Sequence, residues 1–167
     1  VDLSGMDFSG YNLGKARFSR SILRNTDFSN QNLSRMDFSG ANLSGSNLSA
    51  VNFSRSNLNY ANLSGSRFSW MMLKHTNMIK ANLSGLDLRH SYLYYTNLSD
   101  ANLSGVNLSR TANEAANRRF KTVGLSGANL EGASLNGLDI SGMNFSNVNL
   151  KNAGLTNVTM LNTNFEG

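Results

Sequence analysis

Leu or Phe recurs every fifth residue along almost the whole chain. The series runs Leu3, Phe8, Leu13, Phe18, Leu23, Phe28 and onward to Leu108, 22 positions without a break. It resumes at Leu125 and continues through Leu130, Leu135, Ile140, Phe145, Leu150, Leu155 and Met160 to Phe165, nine more. A helix returns to one face about every 3.6 residues and a strand about every 2. Neither yields a clean period of five, so the pattern predicts a solenoid. Two places before each large centre stands a smaller residue, such as Met6, Ala16, Ala41, Val51, Ala61, Ala81, Ala101, Val106, Ala128, Ala133 or Val148. Asn or Asp usually lies between the two, and Ser then Gly usually follow. Two inward positions in five give a narrow core of alternating large and small groups. Asn, Ser and Gly suit the turns between them. One repeat cannot bury itself, whereas stacked coils can.

The unit Ala-Asn-Leu-Ser-Gly stands unaltered at Ala41–Gly45, Ala61–Gly65, Ala81–Gly85 and Ala101–Gly105. It resembles the pentapeptide-repeat family, whose consensus is Ala-(Asp/Asn)-Leu-X-X. The resemblance implies an all-β fold: a right-handed, quadrilateral parallel β-helix with one pentapeptide per side and 20 residues per coil. At ~4.8 Å between coils, nearly eight coils make a rod of roughly 35–40 Å. Larger residues at the minus-two place (Tyr11, Gln31, Met36, Met71, Leu86, Met143) depart from the consensus. Tyr11 and Gln31, 20 apart, are expected to stack inside a locally widened N-terminal end.

The interruption divides the chain into a first block, 1–110, an inserted segment, 111–122, and a second block, 123–167, within one domain. The spacing from Leu108 to Leu125 is 17, which reads as about 12 inserted residues. Thr111 and Glu114 form a capping-box pattern. Ala112, Ala115, Ala116, Arg119 and Phe120 share a helical stripe. These predict a short helix over about 112–121, held to the rod by Phe120. Arg110, Arg118, Arg119 and Lys121 make it basic; it is either a tolerated insertion that only caps a bulge or a candidate partner-binding element.

Consensus positions are explained by folding, so candidate function lies where the consensus fails. Between Arg67 and Tyr95, Ser-Gly gives way to Trp70, Met72, Lys74, His75, Ile79, Lys80, Arg89, His90, Tyr92, Tyr94 and Tyr95 at outward positions. The 20-residue count sets Trp70 under His90, Met72 under Tyr92, Lys74 under Tyr94 and His75 under Tyr95. Contiguous exposed aromatic surface marks interaction sites, and Trp, Tyr and Arg dominate binding hot spots. The candidate partner site is therefore Trp70, Met72, Lys74, His75, His90, Tyr92, Tyr94 and Tyr95. Stacking that only stabilises adjacent strands is the competing reading. Lys15, Arg35 and Arg55 form a basic column continuing into His75, with Arg17, Arg20 and Arg24 near its lower end. Like charges facing one another across strands are unfavourable, so the column is read as a solvated surface with long flexible side chains, next as a site for an acidic protein surface, and third for nucleic acid.

Net charge is +5, with no cysteine and no proline. That excludes disulfides and Cys-based metal sites, and it suits continuous backbone pairing. No stretch approaches a membrane span. The two histidines, His75 and His90, have no carboxylates at catalytic spacing. The glycines are periodic rather than phosphate-binding. No enzyme activity, cofactor or small-molecule ligand is expected of this segment. The chain starts and ends on repeat boundaries, which reads as a piece of a longer protein. The Asn- and Ser-Gly-rich consensus looks most like the β-helix domains of secreted effectors from Gram-negative pathogens. Some of these attach the helix to a HECT-like ubiquitin ligase. The resemblance then implies a non-catalytic protein-interaction module that binds host proteins or positions a substrate for a separate domain, made in the bacterial cytoplasm and delivered to a host cell. The alternative is the fluoroquinolone-resistance branch, DNA mimics that bind gyrase. A DNA mimic calls for excess negative charge, and this chain is basic.

Overall fold

A computed structural model describes residues 1–14, 16–109 and 120–167. The chain winds as a four-sided, right-handed β-helix. The first wall is centred on Leu3, Leu23, Leu43, Leu63, Leu83, Leu103, Leu130 and Leu150, and the second on Phe8, Phe28, Leu48, Phe68, Leu88, Leu108, Leu135 and Leu155. The third is centred on Leu13, Leu33, Phe53, Leu73, Leu93, Phe120, Ile140 and Met160, and the fourth on Phe18, Phe38, Leu58, Met78, Leu98, Leu125, Phe145 and Phe165. Each wall is a column of single-residue parallel bridges. On the first wall they run Asp2 to Ile22, Asn42, Asn62, Asn82, Asn102, Asn129 and Asn149.

The local sequence explains the winding. The Asn or Asp before each centre turns its Oδ1 back onto the amide two residues later, as Asn82 does to Ser84 at 3.1 Å and Asp27 to Ser29 at 2.8 Å. This side-chain turn mimics a backbone turn and bends the chain at most corners, although residues such as Ile22, Arg67, Met72 and Tyr92 hold the same place without it. The residue two after the centre then takes a left-handed conformation. It is Gly at φ 67 and 72 in Gly65 and Gly85, where the missing Cβ removes the strain. The amide nitrogen of the next minus-two residue closes each corner onto the preceding centre, as Ala81 does to Met78 O at 3.1 Å.

Inside, rings and aliphatic chains fill the tube. Phe8 stacks on Phe28 at 4.8 Å and Phe18 on Phe38 at 5.0 Å, and the two piles meet edge-on. The minus-two column also holds buried hydroxyls, including Thr26, Ser46, Ser66, Thr76 and Thr96. Each caps a backbone carbonyl within the core; Thr76 and Thr96 donate to Phe53 O and Leu73 O, both at 2.8 Å. Among the described residues no buried side-chain polar atom lacks a partner, so these hydroxyls avoid the desolvation penalty of burial.

Two expectations are corrected. Tyr11 does not enter the core. It is 65% exposed, with its ring edge-on to Phe8 at 6.4 Å, because a phenol exceeds the slot that Val51 fills in the same column. Gln31 is half-buried and donates its amide to Ser9 O at 2.8 Å. The insertion is also shorter than about 12 residues. Asn97 bridges Gly124, Asn102 bridges Asn129 and Asn107 bridges Ser134. Each step is 27 residues where the other coils step 20, so seven are added. Phe120 is the missing centre of the third wall. It is 3% exposed, and Val123 N–H bonds Phe120 O at 2.9 Å, as Thr96 N–H bonds Leu93 O at 3.1 Å. The repeat therefore resumes at 120, before the expected start of the second block. The predicted helix lies outside the described residues except for its last two, Phe120 and Lys121.

Candidate partner-binding wall

The strongest departures from consensus gather on the third wall in coils four and five and on its two corners. At the corner with the second wall, the Trp70 ring stacks on His90 with centroids 5.2 Å apart. On the wall, Met72 bridges Tyr92. Lys74 lies below Tyr94, since His75 N–H bonds Tyr94 O at 2.8 Å and fixes the step. At the corner with the fourth wall, His75 lies flat on Tyr95, centroids 4.8 Å apart and planes 4° apart. The structure thus brings together all eight residues of the candidate site. Trp70, Met72 and Tyr95 are exposed at 59%, 41% and 56%; Lys74, His75 and His90 are also exposed, and Tyr92 and Tyr94 are half-buried.

Backbone conformation shows what these side chains cost. Trp70, His75 and Tyr95 hold φ of 56, 59 and 54, and Arg35 and Arg55 hold 64 and 62. For a residue with a Cβ this left-handed region is unfavourable by about 1–2 kcal/mol. At the corner between the first and second walls the same place is Gly45, Gly65, Gly85 and Gly105. Large groups are therefore kept on the third wall's corners against local preference, as they also are at Arg20, Tyr60 and Lys80 on the corner between the fourth and first walls.

Arg35 and Arg55 stand in the column below His75, one coil apart, both exposed. Lys15, at its foot, lies outside the described residues, as do Arg110, Arg118 and Arg119. The ion pairs among the described residues are Arg89–Asp87 at 2.6 Å, Lys121–Asp139 at 2.7 Å and Lys151–Glu131 at 3.3 Å. Arg35, Arg55 and Lys74 enter none of them. Lys121 and Ser141 hydrogen bonds hold the Asp139 carboxyl down to about 2. The Arg89 fork lowers that of Asp87. Beside the patch the second wall's ladder lapses: no bridge joins Arg67 to Asp87.

The chain leaves the coil after Ser109 on the second wall and rejoins it at Phe120 on the third. Two open clefts are present: one of about 420 Å³ at the lower corner of this wall, lined by Gly14, Arg17, Arg35 and Met36, and one of about 340 Å³ away from it, beside Arg20 and Tyr60. No group of three His, Cys, Asp or Glu among the described residues could hold a metal ion. No helix among them is long and apolar enough to cross a membrane.

The model of pentapeptide repeats matches in eight copies, over residues 2–40, 37–70, 72–110 and 125–167. No curated protein matches the chain. Among solved structures, a trypsin-treated form of QnrB1, a plasmid-mediated fluoroquinolone resistance protein, is 21% identical with a TM-score of 0.44, over 98% of this chain and 83% of that one. HetL, a pentapeptide repeat protein involved in heterocyst differentiation regulation from the cyanobacterium Nostoc sp. strain PCC 7120, is 25% identical with a TM-score of 0.33, over 98% and 84%. A pentapeptide repeat protein from the Arabidopsis thaliana thylakoid lumen is 23% identical with a TM-score of 0.24, over 89% and 70%. Scores this low carry no function across.

Proposed function

On the premise that the chain belongs to the pentapeptide-repeat family, we propose that it is a non-catalytic docking rod whose third wall, in coils four and five, receives a protein partner. One observation carries the reading: aromatic and imidazole rings are stacked in pairs on an exposed wall, and Trp70, His75 and Tyr95 among them hold a left-handed backbone. Folding alone would place Gly or Asn there. Neither open cleft is lined by these rings, which suits a protein surface better than a small molecule. Replacing Trp70, Tyr92 and Tyr95 together by Ser tests it. The variant is expected to keep the wild-type melting profile and to lose a cross-linked partner that the wild type retains. Unchanged capture refutes the reading.

Two finer readings differ in what supports them. A topoisomerase-binding role of the fluoroquinolone-resistance type has in its favour the seven-residue break in the coil, a feature such binders also carry. A substrate-positioning role in a secreted effector rests on the Asn- and Ser-Gly-rich composition and the basic charge. Gyrase supercoiling assays test the first, since protection or inhibition at low protein concentration supports it and a null result excludes it.

A further inference from the structure

We infer that the element received by the third wall is an amphipathic helix lying along the rod axis, its contact stripe carrying two carboxylates followed by apolar side chains. This rests on the docking reading above and names the partner's chemistry.

The wall dictates the form. Its backbone is spent on the neighbouring coils: Phe53 N–H bonds Met72 O at 2.8 Å, Met72 N–H bonds Val51 O at 3.1 Å and Tyr92 N–H bonds Met71 O at 2.8 Å. No free edge remains for an added strand, so recognition must come through side chains. Those side chains repeat along the axis at the coil spacing of ~4.8 Å. Neighbours on one face of a helix rise by about 4.5 or 6 Å, three or four residues apart. On one face of a strand they rise by about 6.6 Å. Over the three steps from Arg35 to Tyr95, ~14 Å, a helical stripe stays within about 2 Å of register and a strand drifts by about 5 Å.

Charge dictates the order. Arg35 and Arg55 occupy coils two and three, and the stacked rings occupy coils four and five. No Asp or Glu stands at an outward position of this wall in those four coils. A partner stripe with carboxylates against Arg35 and Arg55, and Leu, Met or Phe against Met72 and Tyr95, complements both halves.

The test is selection from two displayed libraries on the immobilised 167-residue chain. One is a 14-residue Ala-rich helix randomised at four stripe positions, and the other a Thr/Val-rich strand randomised at alternate positions. The expected outcome is helical binders with Asp or Glu at two successive stripe positions and large apolar residues at the next two. Their affinity should fall about 3–10-fold on Arg35→Asn/Arg55→Asn, substitutions that suit a left-handed backbone. Stronger binders from the strand library, a helical pool without paired carboxylates, no pool at all, or indifference to the Arg changes each overturn the inference. If the selected pool binds the Trp70, Tyr92, Tyr95→Ser variant as well as wild type, the docking reading itself falls.

Discussion

Phe120→Ala is expected to destabilise the rod more than any truncation near its open ends. Phe120 is 3% exposed and fills the third-wall column between Leu93 and Ile140. Its removal takes away a whole ring and leaves a cavity that stacked coils cannot close, because each is pinned by bridges above and below. Buried Phe→Ala changes cost about 3–5 kcal/mol. In a chain of this size each kcal/mol lowers the melting temperature by roughly 2–4 °C, so a drop of roughly 6–20 °C follows. The control is Phe165→Ala, at a centre 44% exposed, which should lose far less. Phe120→Leu, which restores the residue found above most corners, should recover most of the loss. Circular dichroism melts of the three variants decide the matter. If Phe120→Ala melts within a degree or two of wild type, Phe120 does not complete the column.

Arg55→Gly should raise stability by about 0.5–1 kcal/mol in urea titration, because relief of left-handed strain exceeds the added backbone entropy of Gly; no gain would show that the corner is unstrained. Asn82→Ala removes an acceptor for Ser84 N–H and Asn102 Nδ2 and a donor to Asn62, at 3.1–3.2 Å. It should cost about 1–3 kcal/mol, read from the same titration. The carboxyl of Asp139 is lowered from 3.8 to about 2, so its stabilising effect is full above pH 3.8 and is lost as pH falls through about 2. Asp139→Asn should flatten that small acid-limb loss in melts between about pH 5 and 2, leaving stability unchanged at neutral pH beyond the Lys121 pair; an identical acid limb would exclude Asp139 as a contributor.

The winding was legible because Leu and Phe mark every centre, and the 20-residue count set Trp70 under His90 and His75 under Tyr95 without a coordinate. Phe120 was missed although it lies five residues before Leu125. Its neighbours Arg118 and Arg119 break the consensus, and it also fitted a helical stripe. Tyr11 was misplaced because periodicity assigns a direction, whereas the size of the slot decides whether a side chain can follow it. The left-handed corners were not legible either. A Gly column hints at them, but that Trp70, Arg35 and Tyr95 share the same backbone shape is not legible, since an Asx turn precedes Arg35 whereas Arg67 and Tyr92 stand at that place before Trp70 and Tyr95.

The inserted segment has a geometric consequence. Because the chain returns to the corner it left, the upper two coils keep the azimuth of the lower ones, as the Asn102 to Asn129 bridge shows. Length there is decoupled from phase: residues can be gained or lost between Ser109 and Phe120 without rotating anything above. Elsewhere an extra pentapeptide would swing every higher feature by a quarter turn. That corner is the place where this scaffold can be re-edited while its printed face stays aimed the same way.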